Sequence, residues 1–507
     1  ISGRVLETNG TEGITGVNII ARNLDNPYAD AVSAMTGDYV RVEAGNDGTF
    51  TLTGLTPGAR YALYTDMIVN GGFPTQQPVY MPEGEEFYNG THESGNGVVD
   101  DRCDMEPLTA IAGVPAAADI ILNTVKGAPK FNPLLPTTFP RSVSADGKVL
   151  GGGVSPGGTF RWTEKAGYEV LDQTFGSDAT MSRDGLSFAS QTTAPSGLLA
   201  ASILRYGSEP HQLPLPTVEL PAIRMETCGS LSSSSKISAD GRSVAGIFYV
   251  DTNGSEPGQT CRVRPFIWSA EEGSVALPTP LNLRNVRAQS TSDDHSMIVG
   301  WQDTSGPRLG VRWVNGQFEE MSTPDLLVGE ATYVTPDGKT VVGANAGLSQ
   351  QPWMWTSEGG LQLLGRTGPN FSAVALSASD DGKVVGGLGG STSFFPGDAS
   401  GNRAFLWMPE LGTVDFEHFL QAQGTFFEGW ILWSTASISA DGTTHIGTGA
   451  GPRGAAGWKI ELDKVNICHA PPGNPANAHS INVSFRSSMR LHLRHGDTIG
   501  VCANNDE

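Results

Sequence analysis

Residues 144–152 read SADGKVLGG, and residues 160–162 read FRW. The pair returns as SRDGLSFAS (182–190) with LRY (204–206), SADGRSVAG (238–246) with FIW (266–268), and SDDHSMIVG (292–300) with VRW (311–313). It returns again as TPDGKTVVG (335–343) with WMW (353–355), SDDGKVVGG (379–387) with FLW (405–407), and SADGTTHIG (439–447) with GWKIEL (457–462). These are seven units, whose aspartates at 146, 184, 240, 294, 337, 381 and 441 stand 38 to 60 residues apart. A propeller blade of four short strands takes roughly 40–50 residues. Asp-Gly suits a hairpin turn, with Asp capping local amides and Gly accepting positive φ. The V-x-G run predicts a buried strand whose glycine admits a close neighbour, and the recurring Trp is expected to fill the wedge between blades. On this reading the repeated Asp, Gly and Trp are structural. Two units depart: His295 replaces the turn glycine and Tyr206 replaces the Trp, so those blades are expected to be less regular. The last unit ends soon after its Trp strand. Ring closure therefore needs a borrowed strand, and FNPLLP (131–136) is the candidate.

The rest of the composition agrees with an all-β chain. Among 507 residues there are 65 glycines, and only 17% are charged. That mixture suits short strands and turns better than helices. No run of 18 apolar residues occurs, so no membrane span is expected. The chain opens directly on the strand-like ISGRVLE, and any export leader is expected to have been removed. Net charge is −21, concentrated early: residues 1–125 hold 17 Asp and Glu against 5 Arg, a net of −12. Such a surface excludes nucleic acid as a partner, because phosphates need a basic footprint. Solubility accounts for most of this acidity. The crowded Asp100, Asp101 and Asp104 also suggest calcium, although their spacing matches no EF-hand loop.

Residues 1–124 are expected to be a β-sandwich. ISGRVLE, GVNIIARNL, DYVRVEA, GTFTLTGL and RYALYTDM alternate at strand period, with a turn signal at NDG (46–48) and AADIIL (117–122) as a closing strand. Residues 70–116 read as an insertion. Residues 125–138 form a connector bearing Pro129, Pro133 and Pro136. The N-terminal pattern resembles the carboxypeptidase-regulatory-like, transthyretin-like sandwich of secreted proteins. That resemblance implies an adhesive or spacer module without catalysis. The units of 139–462 resemble the HAF-type extracellular repeats of bacterial secreted proteins, which implies a β-propeller, here of seven blades. The family brings no established reaction with it.

The tail, 463–507, is a small module of its own. ICHAPPGNPANAHSINVSFRSSMRLHLRHGDTIGVC (467–502) holds four of nine histidines and two of five cysteines. Cys468 and Cys502 are expected to close it as a disulfide, constraining its unfolded state by roughly 3–4 kcal/mol. Cys228 and Cys261 are the other expected bridge, leaving Cys103 over. Two bridges fit an extracellular or periplasmic protein. HSINVSF and RLHLRHGD read as two strands. Cys468-His469 lacks the first cysteine of C-x-x-C-H, so haem is not expected. His469, His479, His492 and His495 suit copper or zinc. The turn at HGD either returns His495 toward His492 or sets Asp497 behind a histidine as its acceptor. The bland alternative is exposed, hydrogen-bonded histidines. The segment also resembles a short C-terminal module of secreted bacterial proteins with the pattern CH-x-PPGN-x-x-x-x-H…HL-x-HGD-x-x-G-x-C, whose role is not carried over.

Zincin and P-loop signatures are absent from the sequence, and no G-x-G-x-x-G is expected to open a helix. The leading expectation is a secreted bacterial surface or filament protein. It would act by binding and assembly, through self-association or contact with other surface proteins or polysaccharide. An extracellular copper or zinc redox protein and a propeller hydrolase acting on polysaccharide are the alternatives.

Overall fold

The computed structural model describes residues 1–6, 10, 13, 17–26, 28, 31–36, 48–69, 78–79, 86–94, 105–122, 128–217, 228, 230–251, 261–280, 285–304, 306–323, 325–345, 351–366, 372–390, 402–425, 427, 430–451, 454–472, 474 and 477–502. Every count below is of these residues. Asp100, Asp101, Cys103 and Asp104 lie outside them, as does the stretch 37–47 that holds DYVRVEA and most of NDG.

The repeated turn has one hydrogen-bond pattern in all seven units. The Ser or Thr hydroxyl donates to the Asp carboxylate two residues on, at 2.5–2.8 Å. The same carboxylate accepts the amide two residues beyond it. The hydroxyl in turn accepts the amide five residues on. This is a side chain standing in for backbone partners at a tight turn. Its glycines sit at φ between 69° and 81°, and His295 takes the same left-handed backbone at φ 58°. The unit with His295 thus keeps its turn, and His295 hydrogen-bonds the Ser243 hydroxyl of the preceding unit.

Each turn joins the first two strands of a four-stranded antiparallel sheet, and there are seven such sheets. The first comprises Thr138–Val143, Val149–Val154, Thr159–Thr163 and Gly167–Asp172. The second sheet is the least regular. Its first and last strands are only Thr180–Met181 and His211–Gln212, and Tyr206 lies beyond its third strand, Leu199–Arg205. The seventh combines Ile431–Ile438, Thr444–Gly451 and Gly454–Glu461 with Lys130–Pro136 as its outer strand. FNPLLP is therefore a blade strand rather than part of a connector: Ile460 pairs with Phe131 and Trp458 with Pro133. Pro133 and Pro136 are tolerated because an outermost strand has one side without ladder partners.

The turns also tie successive blades together. The amide of Ala145 donates to Arg183 O at 2.7 Å, that of Arg183 to Ala239 O at 2.8 Å, and that of Asp240 to the Asp293 carboxylate at 2.9 Å. Asp293 donates to Pro336 O, Asp380 to Ala440 O, and Ala440 back to Ala145 O at 3.1 Å. The last of these joins the seventh sheet to the first and closes the ring. Pro336 has no N–H to donate, and there the chain of amides skips one link.

The glycine of V-x-G has a specific cause. In six blades the first strand carries a register shift opposite the second. Such a bulge pushes a carbonyl toward the neighbouring strand. A Cβ at Gly300, Gly343, Gly387 or Gly447 would stand 1.8–2.1 Å from that carbonyl oxygen. The ring lying over this glycine is not the motif Trp. It is the residue two positions earlier: Phe266 over Gly246, Trp353 over Gly343, Phe405 over Gly387, with Trp458 over Gly447 in the last unit. Trp162 and Trp355 are only half-buried, whereas Trp268, Trp313 and Trp407 are buried in clusters shared with the preceding blade, so the wedge expectation holds for those three units.

The N-terminal domain is a two-sheet sandwich. Ser2–Leu6 pairs with Thr49–Thr51 and, in parallel, with Ile120–Ile121. Val17–Asn23 pairs with Val32–Met35 and with Arg60–Val69. Val5, Val17, Ile19, Phe50, Leu63 and Ile120 fill the space between them. The expected insertion is not wholly external, because Leu108–Thr109 adds to the second sheet beside Arg60 and Tyr61.

Candidate metal centre

The C-terminal module is built on Lys464–His469, which pairs with His479–Ser484 on one side and Thr498–Ile499 on the other. The expected second strand, RLHLRHGD, is instead a helix, α1, spanning Met489–Arg494. The alternation of Leu and polar residues there is misleading. Met489 and Leu493, one helical turn apart, face the core, whereas Leu491 is exposed.

The module has no separate interior. Val465, Ile467, Phe485 and Met489 are fully buried in one cluster with Phe416, Phe419, Trp458 and Leu462 of the propeller. Phe416 and Phe419 lie on a second helix, Phe416–Ala422, that sequence reading did not anticipate. Polar contacts hold the same seam. Gln423 and Asn466 exchange hydrogen bonds at 2.5 and 3.0 Å, Arg486 pairs with Asp381, and Arg490 and Arg494 pair with Glu410. Cys468–Cys502 closes the module and Cys228–Cys261 bridges the third blade, with Cα separations of 4.7 and 5.6 Å.

His495 caps the C-terminus of helix α1, and Gly496 follows at φ 90°. That left-handed residue reverses the chain, as a glycine after a helix C-terminus does. The Asp497 amide then bonds the His492 carbonyl at 3.2 Å, and its side chain turns under the helix. The Asp497 side chain is only 1% exposed. One of its oxygens accepts from His469 Nδ1 at 2.8 Å and from His492 Nδ1 at 2.7 Å; the other accepts the Ala470 amide at 3.0 Å. Burial alone would raise this carboxyl, but these hydrogen bonds outweigh it and hold Asp497 down to about 2.

This arrangement settles the tautomers. With Nδ1–H of His469 and His492 committed to one carboxylate, the Nε2 lone pairs are left for a ligand. His479 packs edge-on to His469 with ring centroids 5.5 Å apart, and its Nδ1 faces the Asn477 carbonyl at 3.1 Å. The His469 and His492 centroids are 5.3 Å apart. Of the two expected roles of the turn, the structure has the second: Asp497 sits behind histidines. His495 is exposed at the helix end and stands apart from the group. A carboxylate that orients imidazoles through Nδ1 is what a metal-ligating histidine pair needs. Among the described residues, His469, His492 and Asp497 are the one His/Cys/Asp/Glu group in which one ligand-type atom of each residue lies within 4.8 Å of the others, the Asp497 oxygen included.

A second group of ionisable side chains lies at the centre of the ring, and sequence reading missed it. Arg183, Asp293 and Asp380 occupy the variable position of S-x-D-G, where other units have Ala or Pro. That departure was the available signal.

No family model matches this chain, and no curated protein sequence matches it. Solved structures similar to it include TolB from Acinetobacter baumannii, at 12% identity over 70% of this chain and 75% of that one, with a TM-score of 0.32. Oligogalacturonate lyase from Vibrio parahaemolyticus is 11% identical over 66% of this chain and 97% of that one, TM-score 0.41. Hydrazine synthase from Kuenenia stuttgartiensis is 14% identical over 66% and 98%, TM-score 0.37. These superpositions are loose, and the ring architecture rests on the chain's own sheet pairing.

Proposed function

We propose that this protein works outside the cytoplasm as a binding and assembly protein of the surface or filament type, with a C-terminal module that holds copper or zinc. The observation that carries the metal is the single buried carboxylate of Asp497 orienting both His469 and His492. The two disulfides support an oxidising compartment. No helix of the described residues is long and apolar enough to cross a membrane.

A specific feature favours polysaccharide among the partners. A cleft of about 330 Å³ opens beside the closing strand, lined by Trp162, Tyr168, Trp430, Glu164, Lys459 and Glu461. Aromatic faces beside charged groups suit the two sides of a sugar ring.

The test is calorimetric titration of the chelator-stripped full chain with Cu²⁺ and with Zn²⁺. One equivalent is expected to bind to the parent and to His495→Ala, and binding is expected to vanish in the His469→Ala/His492→Ala pair. Equal binding by the pair variant would overturn the metal assignment. Electron microscopy of native material tests assembly, and dispersed monomers alone would count against it.

A further inference from the structure

The bulge in each first strand re-aims one residue toward the ring axis. The residues just after the register shifts are Ser142, Lys236, Ser290, Tyr333, Ser377 and Ser437. Thr180 holds the corresponding place in the second blade, two residues before its turn serine. The axis is thus ringed by hydroxyls, broken only by Lys236 and Tyr333.

Those hydroxyls are used in one direction. Ser142 accepts the Met181 amide, Thr180 the Ile237 amide, Ser290 the Val334 amide and Ser377 the Ile438 amide, each across to the next blade. An oxygen that accepts from outside the ring has its own proton left to give, and none of the four donates to a described residue. Ser142, Ser290 and Ser437 line a central cavity of about 40 Å³, together with Lys236, Arg183 and Tyr333. That is room for one or two water-sized species.

The charges here are unequally matched. Arg183 donates to Asp380 at 2.7 Å, to Tyr333 Oη at 3.3 Å and to the Ile438 carbonyl. Its charge is answered by Asp380. Asp293 is held by the Asp240 and Ala239 amides. Lys236 is half-buried where it lines this cavity. Its ammonium lies 4.4 Å from the Tyr333 ring centroid and has no hydrogen-bond acceptor among the described residues. The charged side chain it feels is another cation, Arg183, and burial with that neighbour pulls Lys236 down to about 8. A half-buried cation without an acceptor, facing an array of unspent hydroxyl donors, is a lining for negative charge.

We propose that the central cavity binds one small monovalent anion of halide size, held by the Lys236 ammonium and by the hydroxyls of Ser142, Ser290 and Ser437. The rim carboxylates do not compete for it, since Asp380 is taken by Arg183 and Asp293 by backbone amides. The site is independent of the C-terminal metal centre.

Bromide is the probe. Crystals of the full chain soaked in bromide are expected to show an anomalous peak on the axis beside Lys236. In solution, melting is compared in bromide and in gluconate at equal ionic strength, gluconate being too large for the cavity. The parent is expected to melt roughly 2 °C higher in bromide once free anion exceeds its dissociation constant about tenfold. Lys236→Met, which keeps the length and removes the charge, is expected to lose that difference. A channel containing water only, or an equal bromide effect in parent and Lys236→Met, would overturn the proposal. If Lys236→Met does not fold, the soak decides alone, with Ser290→Ala as the second variant, expected to weaken the peak.

Discussion

The buried pair His445 and Glu417 should hide two opposite pH dependences from each other. His445 lies fully buried on the seventh blade, 5.2 Å from the Phe416 ring and 6.4 Å from Phe485 by centroid. Its Nε2 faces the Gly442 carbonyl at 3.1 Å, while Nδ1 has no partner among the described residues. Burial pushes it down from 6.5 to about 4. Glu417, on the helix Phe416–Ala422, is raised by burial from 4.5 to about 7. The Arg403 guanidinium 3.9 Å away and the Leu432 amide at 2.6 Å restrain that rise. Each displacement corresponds to about 3 kcal/mol. The signs are opposite. The histidine's folded value is depressed, so its contribution is complete above 6.5 and is lost as pH falls toward 4. The glutamate's folded value is raised, so its contribution is complete below 4.5 and is lost as pH rises toward 7. Asp146, Asp294, Asp337, Asp381, Asp441 and Asp497 are all held below 3.8 and act only at lower pH. The assay is hydrogen exchange of the Thr444–Gly451 amides, corrected for intrinsic rates, between pH 4 and 7. The parent should change little. Glu417→Gln should lose protection by roughly a hundredfold as pH falls from 6.5 to 4. His445→Leu should lose it in the other direction, as pH rises from 4.5 to 7. If Glu417→Gln stays as flat as the parent, the reasoning about burial is wrong.

Other outcomes follow from single contacts. Asp497→Asn keeps the shape but leaves an amide facing two imidazoles, and should weaken metal binding by roughly 10–100-fold in the same titration. Gly447→Ala places a methyl 1.8 Å from the Ser434 carbonyl oxygen and 2.4 Å from the Trp458 ring, and should cost about 3 kcal/mol or more in urea unfolding. A loss under 1 kcal/mol would mean that the bulge does not press on that glycine. Removing Cys468–Cys502, which spans 34 positions, should lower the stability of the C-terminal module by up to about 4 kcal/mol, read by local exchange in Lys464–His469. Asp441→Ala removes an acceptor for the Ser439 hydroxyl and the Thr443 amide and should cost about 1 kcal/mol, with equal stability counting against the turn's role.

Much of the architecture was written locally. Asp-Gly turns, V-x-G strands and an aromatic third strand recur with a blade's spacing, and each rests on interactions within a few residues. The missing strand FNPLLP was legible because the last unit is short, and the bracketing cysteines declared their own loops. The C-terminal helix was not legible. Alternation in RLHLRHGD fits a strand as well as a helix until Met489 and Leu493 meet Phe416 and Phe485. The histidine group was named except for its logic: four histidines were visible, but only folding shows one carboxylate holding two of them and leaves His495 outside. The axial cluster was invisible for a plainer reason. Arg183 and Asp380 are 197 positions apart and meet because a ring brings every first strand to one axis. Periodicity determines what each blade is. Which side chains face one another across the ring is decided by closure, which juxtaposes residues that no local pattern relates.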